Sequence, residues 1–549
     1  MRIGKAYKTV IFYLVALFAA LAAYQIFPQI TVNDKDSNSF SSERVASDIN
    51  IISKRPHSIE HPKERKVVAD YLFHRLEQMG GKVQSFEYDS IECKFGGYFN
   101  IENIFASFDP PHSNDSTQYL LMVAHYDSRY HQKVLGDTVY SYGAADDGYG
   151  VGLILESVSQ ALKYRDKWKQ GVKVLFTDAE EHNLDGMRNM ALYDSHILSN
   201  VNMVMNVEAR GVKGPALLFE TSAGNSRVME LYKEARSPYT YSLTTLVYRV
   251  LPNNTDFSVV KDSIPGVNFA VIDNLKYYHT DKDNFSNISL KSLQHYGMQI
   301  EPMVEEYLLN AKYSSNAAFK SDKDLVFFTI PLLGLFCFTK SEYVVINILS
   351  MLLFAVVFFI YIKWKNLKLK DVLKCIFWPL AFCIGALAIG ELIGFLAAYY
   401  NGEKFDLVAV KYVEYDYIIT IVSILVLFLW TLIFYRLKGK KRLRFGYEYI
   451  FATLLFTGML SFVLLLTILE NFFVLVPFMV TTAALLLAVI RFCRWSFLLG
   501  GLVIMLLGFS FCYCLTVTLT IGSLGIVLML CSIYISLLIG QYYLFKRNL

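Results

Sequence analysis

A chain of 549 residues is too long for one ordinary domain. Hydrophobic residues make up 54% of it and charged residues 18%, with a mean hydropathy of +0.35, which excludes an ordinary soluble protein. The formal net charge is only +4, and the basic residues gather in short loops beside apolar runs, which argues for membrane topology and against a nucleic-acid partner.

The first apolar run is Val10 to Phe27, preceded by Arg2, Lys5 and Lys8. It reads as an uncleaved membrane anchor within residues 1–32. A signal peptide is the alternative, since the Ala-rich end at Ala19 to Ala23 would permit cleavage. Residues 33–315 then have the mixed composition of a globular domain. Of the eight cysteines only Cys93 lies in this part, so disulfides do not stabilise it.

Within the globular part, Glu64–Met79 places Val67, Val68, Tyr71, Leu72, Leu76 and Met79 on a helical stripe, ended by Gly80-Gly81. Tyr119–Ala124, Lys173–Phe176 and Val201–Val207 are short continuous apolar runs, as buried strands require, and Val151–Leu162 reads as a helix between them. Strands alternating with helices imply an α/β domain with a mostly parallel mixed sheet flanked by helices. Ligands of such sheets sit at the carboxyl ends of the strands.

Residues 316–549 read as an all-α, multi-span transmembrane domain. Seven runs approach span length: Tyr343–Ile362, Val372–Tyr400, Tyr417–Tyr435, Tyr449–Leu469, Phe472–Ile490, Phe497–Leu515 and Val517–Ile539. A shorter run at Leu325–Phe338 is expected to be interfacial or re-entrant. One set of alternate loops is strongly basic: Lys363, Lys365, Lys368 and Lys370; then Arg436, Lys438, Lys440, Lys441, Arg442 and Arg444; then Arg491 and Arg494; then Lys546 and Arg547. The opposite loops are mixed in charge or nearly uncharged. With the first run counted, eight spans with both ends in the cytoplasm fit, and the globular domain falls outside the cytoplasm. A bacterial inner membrane with a periplasmic domain is the favoured setting, an endomembrane with a lumenal domain the alternative. Glu391 sits inside a span, where a carboxylate is either functional or hydrogen-bonded to a neighbouring helix.

Five segments carry chemistry. They are His125-Tyr126-Asp127, Gly143-Ala144-Ala145-Asp146-Asp147-Gly148, Asp178-Ala179-Glu180-Glu181, Asn206-Val207-Glu208-Ala209-Arg210, and Tyr277-Tyr278-His279-Thr280-Asp281. Any one alone could be a surface histidine, a solvated acidic pair or a helix cap. Together they put imidazoles and carboxylates at the ends of apolar strands, an expensive placement unless a cation is bound. Two histidines with several carboxylates and no cysteine is a donor set suited to zinc in a hydrolytic site.

This order of motifs resembles the M28 zinc aminopeptidases, from the helix at Glu64 to about Gly297. Within that family it looks most like the membrane-bound branch, the endoplasmic reticulum metallopeptidase 1 and fungal vacuolar membrane protease type, with which it shares Asn206-Val207-Glu208-Ala209, Thr255-Asp256-Phe257, Tyr278-His279-Thr280 and a multi-span second half. The resemblance implies two zinc ions per chain. His125 and Glu208 would bind one, Glu181 and His279 the other, and Asp146 would bridge them. Many soluble members have Asp where this chain has Glu208. Asp127 would orient His125, and Glu180 would be the general base and acid. Asp256, Arg210 and Tyr278 are candidates for substrate binding. The activity implied is aminopeptidase action on peptides. A single-zinc glutaminyl cyclase and a non-catalytic peptide-binding receptor on the same fold are the alternatives. The resemblance speaks against the cyclase, whose Trp before the last His is here Tyr278.

Overall fold

The computed structural model describes residues 2–26, 29–134, 136–249, 253–407, 413–440, 446–489 and 495–546. The chain divides into two compact units. One comprises Pro28–Thr329 and Gly334–Thr339, the other Met1–Phe27, Ile330–Leu333 and Lys340–Leu549.

The first unit is built on a seven-stranded sheet. In chain order its strands are β1 (Lys82–Glu92), β2 (Tyr98–Phe108), β3 (Tyr119–His125), β6 (Gly171–Thr177), β7 (Val201–Ala209), β8 (Leu217–Thr221) and β9 (Gly266–Val271). Two short strands, β4 (Gln132–Val134) and β5 (Asp137–Val139), form a separate hairpin. The spatial order is β1-β2-β6-β3-β7-β9-β8. The four central strands, β6, β3, β7 and β9, run parallel, and the outer strands pair antiparallel.

The centre suits parallel pairing because its strands are mostly apolar and covered on both faces. β6, β7 and β9 are buried at every residue, and helices cover both faces. Helices Ser42–Ile52, Gly148–Leu162 and Leu290–Leu309 bury Val45, Ile49, Leu153, Ile154, Leu293 and Ile300 against one face. On the other face Met187, Met190, Phe257 and Val260 meet Leu121, Val123, Leu175 and Val204. Register then levels the strand ends: His125 pairs with Thr177, and Glu208 with Ala270. The residues that follow these ends share one edge of the sheet.

The second unit is helical. Among the described residues, six stretches are long and apolar enough to cross a membrane by length and composition. The last, Trp495–Lys546, is 52 residues long. As one rod it would span about 78 Å, far beyond a hydrocarbon core of about 30 Å. It breaks at Thr520–Ser523 into helices Trp495–Leu519 and Leu524–Lys546, which pack on each other. The C-terminal rods therefore correspond to the seven apolar runs. Tyr7–Ala23 is a shorter apolar helix that packs against Trp495–Leu519. Of the basic loops, Lys441, Arg442, Arg444, Arg491, Arg494 and Arg547 lie outside the described residues.

The run Leu325–Phe338, expected to be interfacial or re-entrant, forms a two-stranded sheet, β10 (Leu325–Ile330) and β11 (Gly334–Thr339). Each half is six residues rich in Phe and β-branched side chains, which is strand length. Leu332, at φ 66°, and Gly334, at φ +95°, turn the connection through the left-handed region, which Gly334 enters without steric cost. β10 is tied to the α/β unit by Thr329 N donating to Thr240 O (3.0 Å) and Phe327 N donating to Ser242 Oγ (3.1 Å). Of the two readings of Glu391, the hydrogen bond to a neighbouring helix is not found, since its carboxylate makes no hydrogen bond with any described residue. It lies instead against Gly525 of a neighbouring helix, where a Cβ would come within 2.3 Å of Oε1.

Candidate metal centre

β3 delivers His125 at its last residue, and Asp127 follows as the chain turns away. Both are buried. His125 Nδ1 lies 3.0 Å from the Asp127 carbonyl and 3.3 Å from its Oδ1. The same Asp127 carboxylate accepts the backbone N–H groups of Glu180 (3.0 Å) and Glu181 (3.4 Å). It therefore faces the imidazole and also clamps the end of β6 to the end of β3.

Ala179 adopts a left-handed φ of 55°, which turns the chain off β6 and starts the short helix Glu180–Asn183. Glu181 then points into the cluster. Its Oε1 lies 3.0 Å from His279 Nε2, and its Oε2 accepts from Arg129 (2.8 Å). His279 is itself left-handed (φ 61°), with the Tyr278 ring stacked on it at 3.6 Å.

Asp146 and Asp147 divide the work of their loop, and the peptide between them is cis. Asp147 caps helix Gly148–Leu162, its Oδ1 accepting from Gly150 N (3.0 Å). Asp146 turns into the cluster, with Oδ1 3.2 Å from His125 Nε2 and Oδ2 3.2 Å from His279 Nε2. Glu208, on β7, brings Oε2 to 3.7 Å from His125 Nε2, while Asn206 donates to its Oε1 (3.0 Å).

The result is two triads joined at one residue: His125, Asp146 and Glu208, then Asp146, Glu181 and His279. Within each, the donor atoms lie within 4.8 Å of one another. Asp146 Oδ2, Glu181 Oε1 and His279 Nε2 are buried and lack a hydrogen bond. These are polar atoms of ionisable groups converging without a hydrogen bond among them, an arrangement that is costly with nothing bound. Tetrahedral zinc, with bonds of about 2.0–2.2 Å to His and carboxylate, fits donor atoms spaced this way. The residues therefore fit a metal at each triad.

The electrostatics agree. Burial lifts the Glu180 carboxyl well above its ordinary range, with His125 opposing and Glu208, Glu181 and Asp256 adding to the rise. Burial likewise pushes Glu208 up to about 8. Burial disfavours the charged form of His125, but Asp127 and Asp146 outweigh it and raise its pKa. The cluster holds more carboxylate than its own cations neutralise, which is the field a divalent ion would balance.

Asp256 is at the N-terminus of the short helix Phe257–Val260 but makes no capping bond. Its Oδ2 accepts instead from the Thr177 hydroxyl at the end of β6. Sequence reasoning missed Asp283 and Arg129. Asp283 accepts from Ala145 N (2.7 Å), Asp146 N (3.3 Å) and Ser141 Oγ (3.1 Å), cradling the segment that bears Asp146. Arg129 holds Glu181 from behind, donating also to its carbonyl (2.9 Å). Asp283 lies four residues after His279, a spacing that gives no hint of its target across the sheet.

A parallel-centred sheet with paired carboxylate–imidazole triads at its carboxyl edge defines a metallopeptidase type of domain. Residues 103–304 match the model of peptidase family M28. Over 291 residues the chain is 27% identical to endoplasmic reticulum metallopeptidase 1 of Mus musculus, covering 52% of this chain and 30% of that protein. Over 324 residues it is 26% identical to the vacuolar membrane protease of Paracoccidioides brasiliensis (strain Pb03), covering 52% and 31%. The matched stretch thus spans about a third of the length of these curated relatives. Among solved structures, Porphyromonas gingivalis glutaminyl cyclase aligns with a TM-score of 0.41 and 19% identity, over 50% of this chain and all of that one. A Zn-dependent exopeptidase from Parabacteroides distasonis aligns at 0.39 and 22%, over 50% and 99%. Residues 103–304 are thus similar to peptidase family M28, in a chain whose apolar helices mark it as an integral membrane protein.

Proposed function

We propose that this chain is a membrane-anchored, co-catalytic two-zinc exopeptidase that removes N-terminal residues from peptides. The observation that carries the proposal is the pair of triads sharing Asp146, with unbonded buried donor atoms on Asp146, Glu181 and His279. His125, Asp146 and Glu208 would hold one zinc, and Asp146, Glu181 and His279 the other. Bound there, zinc supplies Lewis-acid polarisation of a peptide carbonyl and lowers the pKa of water from 15.7 toward about 7.

The chain's own residues do the rest. Glu180 takes the proton from the attacking water and returns it to the leaving amine. Its backbone N–H is fixed on Asp127, so the carboxylate is placed relative to His125 before substrate arrives. Asp127 also restrains the His125 ring through Nδ1, which leaves Nε2 for the metal. Asp283 and Arg129 keep Asp146 and Glu181 in register. The membrane helices hold this unit on the side opposite the basic loops, a periplasmic or a lumenal compartment.

Metal analysis of the full-length protein should give about two zinc per chain, and His279→Ala should lower it. Mass spectrometry of a digested peptide library should show loss of N-terminal residues. Conversion of N-terminal Gln to a cyclised product, with one zinc, would favour a cyclase. A zinc-loaded protein that cleaves nothing would favour a receptor.

A further inference from the structure

We infer that Arg210 and Tyr248 form a subsite beside the metal-ligand cluster that binds a carboxylate of the substrate. The inference rests on the peptidase reading and deepens it by naming a substrate class.

β7 ends at Ala209, but its pairing runs one residue further, since Arg210 N donates to Val271 O (2.9 Å). Side chains alternate along a strand, so Asn206, Glu208 and Arg210 share a face. Arg210 therefore leaves the sheet on the side that carries Glu208. Its Nε is buried without a hydrogen bond, and its guanidinium makes no ion pair with any described residue.

Tyr248 ends the helix Ser242–Tyr248 and packs edge-on against Phe219, with ring centroids 4.8 Å apart. Its hydroxyl is also buried and unbonded. That hydroxyl lies in the field of Glu220, Glu208 and Glu180, with Arg210 opposing them. Tyr278, stacked on His279, feels Arg210 as well. Two unsatisfied donors thus border the place where Glu180 and Glu208 act.

The contrast with Arg129 is instructive. Arg129 is committed to Glu181, through both its carboxylate and its carbonyl. Arg210 is adjacent to a field of carboxylates and pairs with none. A buried donor without a partner is costly, so a ligand that supplies the acceptor gains affinity. A guanidinium fork matches a carboxylate in two parallel bonds, and a phenol adds a third donor. The carboxylate can be the C-terminus of a short peptide or an acidic side chain; the chemistry is the same.

The test uses full-length, zinc-loaded protein and three matched substrates: a tripeptide with a free C-terminus, its C-terminal amide, and an amidated peptide carrying Glu near the scissile bond. Wild type should favour a carboxylate substrate by about tenfold or more in kcat/KM, through KM. Arg210→Gln should erase that preference by lowering kcat/KM on the acids far more than on the neutral amide, and Arg210→Lys should keep part of it. Which acid is preferred identifies the source of the carboxylate. Equal loss on acids and amide, or no preference in the wild type, overturns the subsite while leaving the peptidase reading intact. If Arg210→Gln does not fold, Tyr248→Phe removes only a hydroxyl and should cut the same preference by a few-fold. If no peptide is cleaved, the peptidase reading falls, and calorimetry with acetyl-Ala-Ala and its amide decides the subsite. Binding of the acid alone, lost in Arg210→Gln, upholds it; equal binding of acid and amide sinks it.

Discussion

In the helical unit, Asn471 donates to Asn347 Oδ1 (2.8 Å), to the Ser461 carbonyl (2.8 Å) and to its hydroxyl (2.9 Å), and accepts from the Tyr343 hydroxyl (2.6 Å). Thr453, Thr457 and Thr482 turn their hydroxyls back onto carbonyls of their own helices. In the α/β unit, Asp146 Oδ2, Glu181 Oε1 and His279 Nε2 are equally buried and have no hydrogen bond. The first set consists of neutral amides and hydroxyls in a closed network, which a hydrocarbon solvent demands. The second consists of ionisable groups left open toward one another. A closed set holds helices together, whereas an open set waits for a ligand. Chemistry and structure are thus separated between the two units, and that separation can be attacked experimentally.

The largest expected effect lies beside the open set. Glu180→Gln should lower kcat by about 10²–10⁴-fold, the usual contribution of a positioned general acid–base. Zinc content should stay normal, because Glu180 belongs to neither triad. A variant with near-normal kcat would remove Glu180 from the mechanism and would mean that proton transfer is managed elsewhere.

Much of this open set was legible before any coordinates, for a physical reason. His125, Glu181 and Glu208 each lie at or just beyond the end of an apolar strand, so ionisable residues stand out against Tyr119–Ala124, Lys173–Phe176 and Val201–Val207. Asp283, Arg129 and Tyr248 were not legible. Their roles come from contacts with residues far along the chain, as Asp283 does with Ala145, and neither spacing nor local composition records such contacts. β1 was hidden as well, because Lys82–Glu92 has no fully buried residue and reads as polar. The strands of the Leu325–Phe338 run were hidden for the opposite reason. It is as apolar as the spans around it, and only its length and its Phe-rich halves distinguish a strand pair from a membrane segment.

A smaller effect tests the closed kind of site within the α/β unit. His295 is fully buried, accepts from Ala216 N at Nδ1 (2.9 Å) and meets the Ser237 carbonyl at Nε2 (2.9 Å). Burial pushes its pKa down to about 4, with the Ser237 bond opposing. The unfolded chain takes up this proton near pH 6.5, and the native chain does not until about pH 4. Stability from His295 is therefore fully present above pH 6.5 and is lost as the pH falls toward 4, by about 3 kcal/mol in all. Chemical denaturation of the full chain, with zinc chelated at every pH, should show this slope in the wild type. His295→Gln should flatten it. Equal slopes would mean that the ring titrates normally and that the site is not closed.

The smallest effect belongs to the helical unit itself. Asn471→Ala removes the hub on which Tyr343, Asn347 and Ser461 converge, and should destabilise the bundle by about 1–2 kcal/mol, the range measured for polar contacts between membrane helices. The cost stays modest because freed hydroxyls and amides inside a bundle find other partners. Because Asn471 serves only packing, kcat and zinc content should match the wild type. A loss of activity at unchanged stability would break the comparison, since it would show that a closed polar network among the helices takes part in the chemistry of the α/β unit.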